Sequence, residues 1–545
     1  MPFRGLVAPS VAVLATLVAL PASTRGFPPE GAAPAAEQLG TVHLPTSCIP
    51  EAQTRFDRAV ALLHSFEFAA ATAAFAATAA TDGSCGMAYW GVALSAWGNP
   101  FAPGQKGPTQ IERGREAIKQ AERAGLATPR ERGYVAAAAE LYSDVEHRDQ
   151  PARVRAYRDA MEGVASRFPE DMEATIFYAL AIAEAVPPTD KTYGDLLKAG
   201  ALLEGLYASH PDHPGLAHYI IHAYDVPALA PRALGAAERY AQIAPSAPHA
   251  LHMPSHTFTR LGYWRESIET NIASAAAARQ QGSTAEELHA TDYEMYAYLQ
   301  TAQDAAAHAL LDALPEIAGR FDPKASGSAA PGMAGDFALA AIPARWALER
   351  RSWAEAVRLE PRFSQFPQTA AMTYFARALG AAHTRDFAAA ASSIAALEEL
   401  RQRLVAAGEA YWAGQVEIQR RGAAAWLDFS QGRRDDALSG MRAAAAMEDE
   451  TEKSAVTPGP LAPARELLGD MLLELHRPAE ALLEFQATLE KEPGRFRALA
   501  GAGHAAAEAG QETDAARFYT RLLEVCVRGD RPGRPELEDA QRLTR

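Results

Sequence analysis

The chain is predicted to be all-α, a superhelical solenoid of about a dozen stacked helical hairpins. Three observations predict it. Apolar residues make up 48% of the 545 positions and aromatic ones only 8%, with alanine abundant from end to end, as expected where helices pack closely over small side chains. Alternating β-branched runs that would mark strands are nearly absent. In the stretch from His210 to Leu261, the pair His218 and His222 recurs as His252 and His256, one period of 34 residues later. That length is one unit of a helical repeat array, and the chain is too long for a single compact core.

The segments follow in order. Residues 1–23 read as a secretory signal peptide: one arginine, an apolar run from Leu6 to Leu20 interrupted by Pro9, then small residues around Ala22 and Ser23. The run is short for a membrane span of about 20 residues. No later segment is apolar enough to cross, so an exported protein, periplasmic or secreted and without a stable span after cleavage, is expected. Residues 24–47, with Pro28, Pro29, Pro34 and Pro45 among alanines, read as a linker without fixed structure. Helical hairpins are predicted over 48–210, starting with Glu51–Ser65 and Glu67–Thr81, then Met87–Trp97, and continuing at 111–125, 129–144, 151–167, 170–186 and 191–209. Residues 211–320 hold the duplicated histidines. Residues 321–460 are hairpins with two loops, 327–335 and the acidic run 448–460, each expected to be solvated, the second with the alternative of a lid or a cation-attracting rim. Residues 461–530 form a regular repeat pair, and 531–545 a tail. Cysteine occurs three times, at Cys48, Cys85 and Cys526. In an exported protein Cys48 and Cys85 can pair and close the first hairpin; otherwise they are buried thiols.

The regular pair carries a recognisable pattern. Leu468-Gly469, Leu472, Ala481, Phe485 and Pro493 occur in that order, and 34 residues on Gly503, Ala515 and Tyr519 repeat it. The glycine lets two helices approach, the aromatic fills the gap, and the proline starts the next helix, where its missing N–H costs nothing. In these residues the chain resembles the tetratricopeptide family, with weaker matches over most of residues 50–527. The resemblance implies a tetratricopeptide-like solenoid whose first helix in each hairpin lines a concave groove, and a protein or peptide partner bound there. It also implies that His218, His222, His252 and His256 face that groove.

A spacing of four places two side chains on one helix face, so each histidine pair can grip an ion. Neighbouring helices lie about 8–10 Å apart, a gap that imidazoles from both sides can close. His249 and His289 lie three residues upstream in their helices, and the repeat frame puts Asp292 and Tyr296 opposite the second pair, giving a column of imidazoles ending in a carboxylate. Such donors suit zinc or copper, and also iron or nickel. The alternatives are a hydrogen-bonded groove, with histidines stacked on Tyr219 and Tyr224, and simple core histidines, though so many imidazoles are hard to satisfy in an apolar interior. Weaker groove candidates are Glu184, one period upstream of His218, and Arg345, which can hold an anionic group of a ligand or stand exposed. Ser267 and Asn271 replace apolar residues and are expected to hydrogen-bond the histidine helix. Gln415, Glu417 and Gln419, beside Tyr411 and Trp412, are further polar contacts.

A net charge of −15 with scattered basic residues offers no footprint for nucleic acid. No P-loop, dinucleotide glycine pattern, zincin motif or nucleophile elbow is present, so no nucleotide is expected. Two functions remain: an exported scaffold with a histidine-held metal, or a metal-dependent enzyme activating water or dioxygen.

Overall fold

The computed structural model describes residues 37–544 apart from 103 and 326. The signal peptide and most of the linker lie outside the described residues. One compact unit spans Gln38–Arg545. It is an all-α solenoid, and the described residues contain no strand.

Most helices pack most extensively on a neighbour in sequence, as in Pro50–His64 with Phe68–Thr81, Trp264–Gln280 with Thr284–Gln300, and Phe496–Glu508 with Glu512–Val525, whereas Pro248–His252 packs chiefly on Trp264–Gln280 and Gly332–Glu349 on Thr284–Gln300. Small residues allow this close approach. A Cβ added at Gly469 would meet the Phe485 ring at 2.8 Å, and one at Gly503 would meet Tyr519 at 2.7 Å. The glycine and aromatic of each regular repeat therefore touch, which is why the pattern shows in the sequence there. Prolines open helices at Pro50, Pro129, Pro214 and Pro478, where no hydrogen bond is lost.

The apolar interior divides into two main clusters. One runs from Leu39 to Phe258 and also takes in Ala329, and the other runs from Ala285 to Ala540. The histidine-rich helices Pro214–Ala223, Pro248–His252, Pro254–Leu261 and Thr284–Gln300 lie where these clusters meet.

Four sequence expectations are corrected here. Residues 38–47, expected to be a linker, are packed: Leu39 and Leu44 are buried, and Thr41 N–H donates to the Asp212 carbonyl at 3.0 Å. The tail forms the helix Pro535–Leu543, which buries Leu537 and Ala540. The loop at 327–335 is not solvated, because the Ala69 N–H donates to the Gly327 carbonyl at 2.6 Å, Ala329 and Ala330 are buried, and a helix begins at Gly332. The acidic loop is likewise inserted, with Val456 and Thr457 buried and its Glu452 N–H bonded to the Pro188 carbonyl at 3.1 Å. The first, third and fourth of these segments have backbone partners far away in sequence, and the tail is tied down by the Arg534–Asp304 and Arg497–Glu536 ion pairs; local composition reveals neither.

Cys48 and Cys85 form a disulfide, leaving Cys526 free and buried. The bridge ties the start of the first helix to the start of the third across 37 residues. Replacing Cys85 by serine is expected to lower unfolding stability by about 2–4 kcal/mol, read as a shift of the denaturant midpoint.

Candidate metal centre

Six histidines converge at the seam between the two clusters. His218 and His222 lie one turn apart on Pro214–Ala223, and His249 joins them from Pro248–His252. His252 and His256 are joined by His289 from Thr284–Gln300. Pro254 breaks the backbone ladder between His252 and His256, but Met253 keeps helical dihedrals, so the one-turn spacing survives. Within each triad, one nitrogen per ring lies within 4.8 Å of the others. The triads are adjacent, with 6.0 Å between the His222 and His256 ring centres and 6.1 Å between those of His249 and His252. All six rings are buried, none more than 8% exposed.

The hydrogen bonds at the outer nitrogens decide which inner nitrogens are bare. The Asn271 Nδ2 donates to the Ser267 carbonyl at 2.6 Å, which turns its oxygen toward His252. The His252 Nδ1–H then donates to that oxygen at 2.7 Å. The His256 Nδ1–H donates to Asp225 at 3.0 Å. Both Nε2 atoms are therefore lone pairs, and they face each other at 3.1 Å. A proton on one of them, or a cation between them, would relieve that contact. Burial opposes the proton: it holds His252 well below its ordinary 6.5, and His256 is lowered too despite Asp225. Two ligands about 2.0–2.1 Å from a tetrahedral ion sit roughly 3.3 Å apart, close to the separation seen.

The first triad follows the same plan. The His218 Nδ1–H donates to the His64 carbonyl at 2.6 Å, so its Nε2 is bare and lies 3.2 Å from the His249 Nε2. Behind His249, a Glu286 oxygen stands 3.9 Å from Nδ1. His222 Nε2, His249 Nδ1 and His289 Nδ1 are buried without a hydrogen bond. Burial lowers His218 and His289 to about 3, and His222 and His249 lie well below 6.5. All six are thus neutral donors near neutral pH, and carbonyl, amide and carboxylate groups behind three of them fix the tautomer a metal needs.

A third cluster, His64, Glu173 and His213, meets the same distance criterion but is already satisfied. His213 caps its helix by accepting the Leu216 N–H at Nδ1, so its Nε2–H donates to Glu173 at 2.8 Å. His64 Nε2–H donates to the other Glu173 oxygen at 2.9 Å, and its Nδ1 accepts the Tyr219 hydroxyl at 3.0 Å. Burial disfavours the Glu173 carboxylate, yet the two histidines hold it down to about 2. This cluster acts as a buttress that presents the His64 carbonyl to His218.

The remaining candidates lie elsewhere. Asp292, expected as a ligand, is ion-paired with Arg345 at 2.7 Å and belongs to neither triad. The helix Thr284–Gln300 turns His289 and Tyr293 toward the site, three residues earlier than the repeat frame assigned. Arg345 is buried rather than exposed and also donates to the Gly459 carbonyl and the Thr457 hydroxyl. Tyr296 donates to Glu492 and accepts from Arg495. Tyr219 serves the buttress, while Tyr224 packs under the Arg232 guanidinium. Glu184 accepts from the Trp97 ring N–H at 2.7 Å. Tyr411, Trp412, Gln415 and Gln419 line a separate cavity, whereas Glu417 pairs with Arg420 and Arg421. Sequence reasoning missed Asp225, held well below its usual range against burial by Lys453 and Arg260, because its partners arrive from distant segments.

Between the triads lies a chamber of about 30 Å³. His222, His249, His256 and His289 line it together with Phe101, Met333, Val456 and other apolar residues. Phe101 stacks on His222 at 3.9 Å, and the Tyr293 hydroxyl pins the lining through the Ala455 carbonyl at 2.9 Å.

In the unfolded chain these imidazoles take a proton near 6.5, whereas in the fold His218 and His289 resist it until about 3. The unfolded state thus binds more protons across that window, so stability falls as pH drops through it. Metal-free protein is expected to show a melting temperature that declines steadily from pH 6.5 to acid, and His218→Phe is expected to flatten that decline in thermal scans.

No family model matches the chain, and no curated protein matches it. Among solved structures it is similar to the human IFIT1 dimer with m7Gppp-AAAA, at 12% identity and a TM-score of 0.36, over 76% of this chain and 86% of that one. It is also similar to the structure of Naa15/Naa10 bound to HypK-THB, at 13% identity and a TM-score of 0.23, over 90% of this chain and 73% of that chain.

Proposed function

We propose that the chain is a metal-dependent enzyme in which each histidine triad holds one transition-metal ion and leaves a coordination position open toward the shared chamber. The observation that carries this reading is the facing pair of bare Nε2 atoms on His252 and His256, 3.1 Å apart with both outer nitrogens already donating. Three imidazoles with one free position is the arrangement of a catalytic ion, while a structural site closes its shell with four protein ligands. Zinc, copper, iron and nickel all accept such donors. The helical repeat scaffold supplies rigidity: ligands on packed helices hold their positions before the ion arrives. The Cys48–Cys85 bridge supports an oxidising compartment, hence export to a periplasm or the exterior.

The scaffold reading keeps one observation in its favour. The separate cavity beside Tyr411, Trp412, Gln415 and Gln419 joins aromatic and amide side chains in a way that suits a peptide. The buried histidines are out of reach of such a partner.

Reconstituted and desalted protein is expected to retain two metal ions per chain by elemental analysis. His222→Ala and His256→Ala should each lose one ion, and the double variant both, with helical circular dichroism unchanged. Asn271→Leu, which leaves the His252 Nδ1–H without its acceptor, should weaken one ion by about 10–100-fold in chelator competition. Wild-type protein that retains no ion would sink the proposal.

A further inference from the structure

Resting on the two-ion reading, we infer that the metal pair is copper, bound as Cu(I), and that the small molecule it takes into the chamber between the triads is dioxygen.

The charge around the site argues for univalent ions. All six ligand atoms are neutral imidazole nitrogens, and neither triad contains a carboxylate. Asp225, behind His256, already serves the Arg260 guanidinium at 2.9 Å and the Lys453 ammonium at 3.7 Å. Glu286 spends one oxygen on the Ala330 N–H and stands back from His249. Two divalent ions would place four positive charges in a buried, neutral shell already flanked by Lys453 and Arg260. The cost of burying an ion rises with the square of its charge, so univalent ions face roughly a quarter of the penalty each. Dinuclear iron and manganese sites meet that cost with glutamates, which this site lacks. Among metals that imidazole suits, copper binds most strongly along the divalent series and is the one with a stable univalent state.

The chamber argues for an apolar diatomic ligand. At about 30 Å³ it holds a molecule of one or two heavy atoms, and it opens onto two rings from each triad. Besides the four histidines the only polar side chain in its lining is Asn99, whose amide group donates to the Ala329 carbonyl at 2.9 Å and whose oxygen accepts the Phe101 N–H at 2.8 Å, so water there would find few free partners beyond the imidazoles. A cavity of about 690 Å³ adjoins the chamber and shares Asn99, Ala102, Ala329, Pro331 and Met333 with it. A ligand between the triads can bond to both ions. Each Cu(I) then gives one electron to the same dioxygen, which becomes peroxide; the O–O bond falls from double to single, both coppers become Cu(II), and no proton moves.

The test uses the full chain loaded with two equivalents of Cu(I) under anaerobic conditions and then exposed to air. One dioxygen should be consumed per two coppers, a new near-ultraviolet charge-transfer band should appear, and the Cu(II) pair should be silent in electron paramagnetic resonance because the bridging ligand couples the two spins. Val456→Phe, on a loop and outside the ligand set, fills the chamber; it should keep both coppers and lose the band. Two bound coppers that oxidise to independent, resonance-active Cu(II) centres would overturn the inference and leave the two-ion reading intact. Retention of two zinc ions with rejection of copper would do the same. Failure to bind any metal would overturn both.

Discussion

Six imidazoles are buried where two apolar clusters meet, and the surrounding structure answers the resulting desolvation problem. A neutral imidazole brings one donor and one acceptor into the interior, and each left unmatched costs on the order of 1–3 kcal/mol. The fold matches the outer nitrogens of three rings with the His64 carbonyl, Asn271 and Asp225. It leaves inner nitrogens of both triads facing one another or without any partner. In the reading proposed above, the side of each ring left unmatched is the side on which an ion would bind. The contrast with His64, Glu173 and His213 is instructive, since there every donor meets an acceptor and no ion is needed.

Electrostatics around the centre are arranged in shells. Among the described residues Asp225 is the carboxylate that accepts a hydrogen bond from an imidazole of the two triads, and Arg260 and Lys453 neutralise it from the other side. Glu286 sits further back, where burial raises it to about 7, and neighbouring Glu67 is pushed to about 8 by burial and by Glu286 itself. Near neutral pH this corner therefore carries less negative charge than its composition suggests, so the ligand set meets a field closer to neutral than a chain of net charge −15 implies.

The all-α solenoid was legible from alanine content and the absence of strand patterns. The histidine stretch was legible because duplication by one repeat length is improbable without a structural reason. The register of the third helix was not. Mapping by repeat length placed Asp292 at the site, whereas the inserted residues rotate the helix so that His289 and Tyr293 face the other rings and Asp292 faces Arg345. A shift of three residues on a helix is nearly a full turn, too small to detect by pattern and large enough to exchange a carboxylate for an imidazole. Asp225, Lys453 and the His64 buttress were illegible for a different reason. Their roles depend on contacts between segments far apart in the chain, and no local pattern encodes such a contact. The two loops expected in solvent were misjudged on the same ground, because polar composition says nothing about a backbone that finds buried partners.

The loop around Val456 has a consequence for how the chain comes off the ribosome. The six histidines of the two triads all lie between His218 and His289, so this donor set exists once little more than half the chain has been made. Much of the apolar lining of the chamber does not, since it needs residues 329–334 and then 455–456 from much later in synthesis. A nascent or truncated chain would hold its donors open to water, and an ion caught there would do unguarded chemistry. Under the proposed reading, supplying metal only after the chain is complete would spare the unfinished protein.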